Sequence, residues 1–386
     1  MTVPTSQPLD ASKLEINLTS TPRDVPIPGS KTASGCTDHM IVADWTAEEG
    51  WATPQLLPYG PMEMMPSASV LHYSTSCFEG LKLYRGHDGN LRLFRPEANC
   101  ARLLRSTQRI SLPDFDPNQV HQLIRKLCEI DGPRWLSKDY PGKFLYIRPT
   151  VIGTDSSLGF HVPRSARLFI IICCWPTIQS TADSGMRLTV SQEGSVRAWP
   201  GGTGATKVGA NYGPTLQPHG KATSAGFNQV LWVFGKDHQV TESGSSNFFV
   251  VWETTDGRVE IITCPLENDL ILPGITRQSI LALLRDRLNV ETPALVDSVK
   301  PVTVVERAYT MGEIQAAERE NRLLGAFAVG TAYFVTPVSY IDYHGEDIHV
   351  PVGRVPYVEL LQEWLSDIKY GRVESEWTEV VEEVKN

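Results

Sequence analysis

Apolar and polar residues follow two rhythms along this chain, and each predicts a different kind of element. The run Ala166-Arg-Leu-Phe-Ile-Ile-Ile-Cys-Cys174 is almost continuously apolar, the pattern of a buried strand. Ahead of it, Pro96 opens a segment in which Ala101, Leu104 and Gln108, and likewise Leu103, Thr107 and Ile110, recur at helical spacing. Proline suits the first turn of a helix, where its missing N–H has no intrahelical partner to lose. The rhythm stops at Trp175-Pro-Thr-Ile-Gln-Ser-Thr-Ala-Asp-Ser-Gly185, which predicts a linker over 176–186. Strands are expected next at Arg187–Ser191, Gln229–Phe234, Asn247–Trp252 and Val259–Thr263. The last two flank Glu253-Thr-Thr-Asp-Gly257, a hairpin turn. A helix follows Pro273-Gly274 and carries Ile280, Leu283, Leu284 and Leu288. A final one, Tyr357 to Tyr370, gathers Leu361, Trp364, Leu365 and Ile368 on one face.

This order divides the chain into an N-terminal α/β domain over 1–175, polar and partly irregular in 1–37, and a mixed α/β domain over 187–386. Two domains also suit a length of 386 residues. Composition adds exclusions rather than a fold. A net charge of −9 and the lack of a dense Lys/Arg patch argue against a nucleic-acid partner, and no apolar run is long enough to span a membrane. The seven cysteines are odd in number and contain no CxxC, a reduced intracellular pattern from which no zinc site can be built. The N-terminal stretch resembles neither a secretory signal nor a convincing transit peptide. A cytosolic location is expected, with a weak mitochondrial signal left open.

Chemistry concentrates between Gly201 and Asn247. GGTGATKVGANYG places a single lysine, Lys207, in a glycine-dense loop that no apolar periodicity explains. Downstream, Glu242 stands at the head of a Ser/Gly turn between two strands. A lysine among small neighbours and a carboxylate at a strand end are what a pyridoxal phosphate site needs. One holds the cofactor covalently, and the other keeps its pyridine nitrogen protonated. A solvated surface lysine and a solvated loop acid are the plainer readings of each residue alone. A dinucleotide reading of the glycines is weak, because Lys207 falls where G-x-G-x-x-G needs its third glycine and no G-K-[ST] follows.

K-V-G-A-N-Y-G, D-H-Q-V-T-E-S-G-S-S-N-F-F and L-I-L-P-G-I-T-R resemble the branched-chain amino acid aminotransferases of eukaryotic type, fold type IV pyridoxal phosphate enzymes. L-H-Y-S-T-S-C-F-E-G-L-K at 71–82, R-L-F-R-P-E-A-N-C-A-R-L-L-R at 92–105, L-Y-I-R-P at 145–149 and D-I-K-Y-G-R-V at 367–373 match in family order. The resemblance implies a smaller N-terminal α/β domain, a larger C-terminal α/β-barrel-like domain, and pyridoxal 5'-phosphate in the cleft between them. It implies Lys207 as the catalytic and cofactor-bearing residue, Glu242 on the pyridine nitrogen and Tyr212 on the phenolate oxygen. Arg102, Ser245 and the backbone of Ile275 and Thr276 would bind the cofactor's phosphate end, and Thr331 would be a further cofactor-binding residue. Arg92, Arg95, Arg105 and Arg109 crowd the same stretch, and only the resemblance selects Arg102.

For the substrate it implies backbone amides of Thr331 and Ala332 at the carboxylate, with Tyr73 and Arg148 nearby. Phe78, Tyr146 and Phe160 would enclose the apolar side chain, although aromatics are more often plain core. Three departures stand out. Phe160 replaces a smaller aliphatic residue, Ile178 lies about where a tyrosine is expected, and Gly330–Thr336 lacks the redox CxxC of some members. The expected activity is transamination between leucine, isoleucine or valine and 2-oxoglutarate by a metal-free homodimer, Phe160 reaching the partner's site. An enzyme for D-amino acids or (R)-amines, and a non-catalytic paralogue on the same fold, remain as alternatives.

Overall fold

The computed structural model describes residues 7–28, 30, 34–175, 184–289, 299–332 and 334–384. Its backbone clusters into two units. One comprises the chain up to 177 together with 206–210 and the residues from 366 onward; the other comprises 178–205 and 211–365.

The first unit is built on a ten-stranded sheet. Its centre runs Cys36–Thr46, Ser165–Cys173, Phe144–Gly153, Leu81–Arg85 and Leu91–Phe94, all antiparallel neighbours. Burial alternates along Ser165–Cys173, so one face of the apolar run (Leu168, Ile170, Ile172) is sealed and the other (Phe169, Ile171, Cys173) is half-buried. The expectation of a buried strand therefore holds for one face, as in antiparallel sheets generally. The predicted helix is Pro96–Arg109, and it buries Leu103 and Thr107 completely. Sequence periodicity did not reveal its neighbour, Pro117–Trp135. That helix opens on Asp116, whose carboxylate accepts from the Asn118 N–H, and on Pro117 in the first turn.

The second unit is a nine-stranded mixed sheet, and part of it closes on itself. Gln239–Ser243 pairs with Gln229–Phe234 on one side and with Ser246–Glu253 on the other. The path continues through Met186–Val190, Phe334–Tyr343 and Leu323–Gly330, which returns to Ser246–Glu253. The barrel-like closure leaves no free edge on those strands, and Leu188, Val190, Leu231, Phe248, Val250 and Val338 fill its core. Two strands, Gln229–Phe234 and Val259–Thr263, coincide with their predicted bounds. So do the helix starts after Gly274 and at Tyr357.

The predicted division at 187–386 needs correction. Residues 206–210 and 366 onward pack with the first unit, because Val208 bridges to Cys77 and Thr378–Val381 pairs antiparallel with Leu91–Phe94. Periodicity reports which face of an element is buried, not which sheet receives it. Most of the predicted linker, 176–183 with Ile178 in it, lies outside the described residues. Among the described residues no helix is long and apolar enough to cross a membrane.

Phe249 and Phe327 face each other across the strand pair, fully buried, with stacked rings 4.9 Å apart. Phe249→Ala is expected to cost about 3–5 kcal/mol, read as a lowered urea midpoint with an unchanged slope.

Candidate active site

Lys207 is held by the backbone on both sides. Its N–H donates to Ser106 Oγ at 2.9 Å, and its carbonyl accepts from the Phe78 N–H at 3.1 Å. Gly209 passes so close to Ser76 that a Cβ there would come within 2.3 Å of the serine oxygen, which would have to move aside. The half-buried ammonium lies 5.0 Å from the centroid of the Phe78 ring.

Arg102 projects from the Pro96–Arg109 helix and is 4% exposed; Glu79, which receives it, is 1% exposed. The guanidinium meets the carboxylate as a fork, Nε to Oε1 at 2.6 Å and Nη2 to Oε2 at 2.9 Å. Asn99 Nδ2 adds a third bond to Oε2 at 2.8 Å. Burial alone would raise the Glu79 carboxyl. The charge and hydrogen bonds of Arg102, aided by the charge of Lys207, outweigh it and hold the group below its ordinary 4.5. Paired in this way, Arg102 keeps a fixed direction that an exposed arginine would lack.

Phe78 also lies under the Arg148 guanidinium, 4.6 Å from the ring centroid, and Arg148 Nη2 donates to the Tyr146 hydroxyl at 3.1 Å. Gly80 makes room for that hydroxyl, since a Cβ there would stand 2.0 Å from it. Arg148 Nε is buried with no hydrogen-bond partner among the described residues. Tyr73 and Phe160 form an edge-on pair at 5.9 Å, and Phe160 is 92% exposed. At that exposure Phe160 encloses no pocket among the described residues.

In the second unit, Glu242 is 1% exposed on the strand Gln239–Ser243. Gly244, at φ 57°, and Ser245 form the tight turn that pairs Glu242 with Asn247 across the hairpin. Its Oε2 lies 2.6 Å from Arg197 Nη1, and its Oε1 accepts from Asn247 Nδ2 at 3.0 Å and from the Leu272 N–H at 3.2 Å. Asn247 also donates to the Leu272 carbonyl at 2.9 Å. Gly274 comes so near that a Cβ would meet Asn247 Oδ1 at 2.0 Å. The helix Ile275–Arg287 therefore starts against this network without a side-chain cap, and Ile275 and Thr276 are buried at its head. Uncapped N–H groups at a helix start favour an anion.

Tyr212, Ser245 and Arg197 line a cavity of about 220 Å³ together with Asn211, Gln229 and Trp232. Thr331 and Ala332 form the turn after Leu323–Gly330, where Phe334 resumes the sheet at φ 62°, a strained backbone for an aromatic residue.

Glu79, Arg197 and Asn247 escaped the sequence reading. Glu79 and Asn247 sit inside quoted motifs, and Arg197 precedes the glycine loop. A buried ion pair leaves no periodic signal, because its partners come from distant segments.

A family described as amino-transferase class IV matches residues 76–341. The mitochondrial branched-chain-amino-acid aminotransferase of Schizosaccharomyces pombe is 40% identical over 373 residues, 95% of this chain and 84% of that protein. The cytosolic branched-chain-amino-acid aminotransferase of Saccharomyces cerevisiae is 40% identical over 385 residues, 98% of this chain and 99% of its own. Among solved structures, a branched-chain aminotransferase from Thermoproteus uzoniensis superposes with a TM-score of 0.67 at 22% identity, over 88% of this chain and 99% of that one. That likeness concerns the fold.

Because the folded Glu79 carboxyl titrates low, its stabilising contribution is complete above its ordinary value and fades as pH falls through the lowered one. Glu79→Gln should therefore flatten the acid limb of a stability–pH curve. At neutral pH it should cost about 3–5 kcal/mol by stranding Arg102, with Glu79→Leu/Arg102→Leu recovering much of that.

Proposed function

Since the chain belongs to the class IV aminotransferases, and within them to the branched-chain-amino-acid aminotransferase family, we propose that it uses pyridoxal 5'-phosphate to exchange amino groups between branched-chain L-amino acids and 2-oxoglutarate. The observation that carries this reading is Glu242, a buried carboxylate fixed by Arg197, Asn247 and the Leu272 N–H. A carboxylate so held suits a pyridinium N–H. The helix start at Ile275 and Thr276, the face of the Arg102 guanidinium turned away from Glu79 and the Ser245 hydroxyl suit a phosphate. When bound, the cofactor supplies a conjugated ring able to accept the electron pair left at the substrate Cα.

The chain's own residues do the rest in this reading. Lys207 holds the cofactor covalently and then, as a free amine, carries the proton removed from the substrate Cα. Glu242 fixes charge at the far end of the ring. Tyr212 donates a hydrogen bond to the phenolic oxygen, and Arg102, Ser245, Ile275 and Thr276 hold the phosphate, with Thr331 a further contact to the cofactor. The backbone of Thr331 and Ala332 takes the substrate carboxylate, with Tyr73 beside it. Phe78 and Tyr146 cover the apolar side chain. Arg148, whose Nε has no hydrogen-bond partner among the described residues, is the donor assigned to the second carboxylate of 2-oxoglutarate.

A homodimer is part of the proposal, supported by the 92% exposure of the Phe160 ring, which a second copy would cover. The cytosol is the compartment we assign, and fractionation with a tagged chain tests it; relatives named for the cytosol and for mitochondria both match.

The deciding experiment is the absorption spectrum of the purified protein before and after L-leucine, then D-alanine. A visible cofactor band bleached by L-leucine alone is expected. Bleaching by D-alanine instead would move the substrate class, and no band after adding pyridoxal phosphate would overturn the reading. Lys207→Ala should lose at least the roughly 10²–10⁴-fold that a positioned acid–base group supplies, measured as turnover of leucine with 2-oxoglutarate.

A further inference from the structure

Cys36 and Cys173 stand directly opposite each other, on neighbouring antiparallel strands of the first unit. Cys174 N–H donates to the Gly35 carbonyl at 3.0 Å, beside the pair. That bond makes Cys36 and Cys173 a non-hydrogen-bonded pair, the narrow kind, with Cα atoms about 4.5 Å apart. Such a spacing falls within the range that a disulfide spans. The ladder next to them is irregular, since Cys36 pairs with Cys173 but Met40 with Ile171. This end of the strand can therefore adjust without shifting the rest.

The surroundings separate these two thiols from the others. Both are half-buried, whereas Cys77, Cys100, Cys128, Cys174 and Cys264 are buried. Burial pushes the Cys174 thiol up to about 11 and the Cys264 thiol up to about 12. Cys36 goes the other way, to about 6. A hydrogen bond from the Cys173 thiol is the main cause, and the Tyr59 hydroxyl and the Arg23 charge assist against partial burial. Arg23 is fastened there: its Nη2 donates to the Tyr59 carbonyl at 2.9 Å, and its guanidinium covers the Tyr59 ring at 4.6 Å.

We propose that Cys36 and Cys173 form a reversible thiol–disulfide site, with Cys36 the nucleophile toward a peroxide and Cys173 the thiol that resolves it. The Cys36 thiolate attacks one peroxide oxygen. The O–O bond breaks, Cys36 becomes a sulfenic acid, and hydroxide leaves as water after taking one proton. The Cys173 thiol is held well above its ordinary value, chiefly by its hydrogen bond to the Cys36 thiolate and then by burial; oxidation of Cys36 removes the first cause, and the Arg148 charge opposes the second. The Cys173 sulfur then attacks the Cys36 sulfur. The S–O bond breaks, the S–S bond forms, and a second water carries away the hydroxyl and the Cys173 proton. Two thiols have lost two electrons and two protons to one peroxide. A thiol reductant reverses the change by exchange.

The test treats the full-length purified protein with one equivalent of hydrogen peroxide, alkylates it, digests it without reduction and maps it by mass spectrometry. The expected product is a crosslinked peptide joining Cys36 to Cys173, cleaved by dithiothreitol, with the other cysteines recovered alkylated. Cys173→Ser should stop at a sulfenic acid on Cys36 that dimedone traps, and Cys36→Ser should leave Cys173 alkylatable. Recovery of both cysteines as separate alkylated peptides from the peroxide-treated wild type would overturn the proposal, as would a crosslink through any other cysteine. The wild-type arm requires no variant to fold, and its readout is independent of catalytic activity.

Discussion

Burying a carboxylate removes its water, and the free energy lost has to be returned by groups placed around it. Glu242 sets that requirement in the second unit. Its two oxygens are met by Arg197, Asn247 and the Leu272 N–H, and each of those groups constrains a further element. Asn247 fixes the register of the hairpin strand. Leu272 fixes the approach to the Ile275–Arg287 helix, and Gly274 is required because Asn247 occupies the space a side chain would take. Arg197 brings in a loop that no strand or helix would otherwise position. One buried charge thus aligns a hairpin, a loop and a helix start.

The first unit repeats the device with Glu79 and Arg102. There the arginine is the group to be oriented, and the carboxylate, steadied by Asn99, orients it. Both pairs cost desolvation that an apolar pair of equal volume would avoid. What they secure is direction, because a forked guanidinium or a doubly held carboxylate presents its remaining face at one angle. Chemistry at a cofactor needs that more than it needs stability.

Closure of six strands of the second unit supplies the rigidity. Gln239–Ser243 pairs on both sides, so the turn after Glu242 hangs from a ring rather than from an edge strand that can fray. The glycines serve the same end. Gly80, Gly209 and Gly274 each stand where a Cβ would collide with Tyr146, Ser76 or Asn247. In the stretch around Lys207, Gly204 is likewise packed, against Ala198 and the Asp269 carbonyl.

Much of this was legible in the residues alone. The helices Pro96–Arg109, Ile275–Arg287 and Tyr357–Lys369, and the strands Gln229–Phe234 and Val259–Thr263, follow from local periodicity and punctuation, which the chain carries within a few residues. Lys207 and Glu242 stood out for the same reason, each being a charged residue in a setting that local structure does not explain. Tertiary structure alone decided that 206–210 and 366 onward join the first sheet. It also decided that Arg102 answers to Glu79 and Glu242 to Arg197, and that Cys36 faces Cys173. Those are pairings between segments far apart in the chain. Hydrophobic pattern encodes which side of an element is buried, whereas the partner it is buried against depends on the packing of the whole sheet.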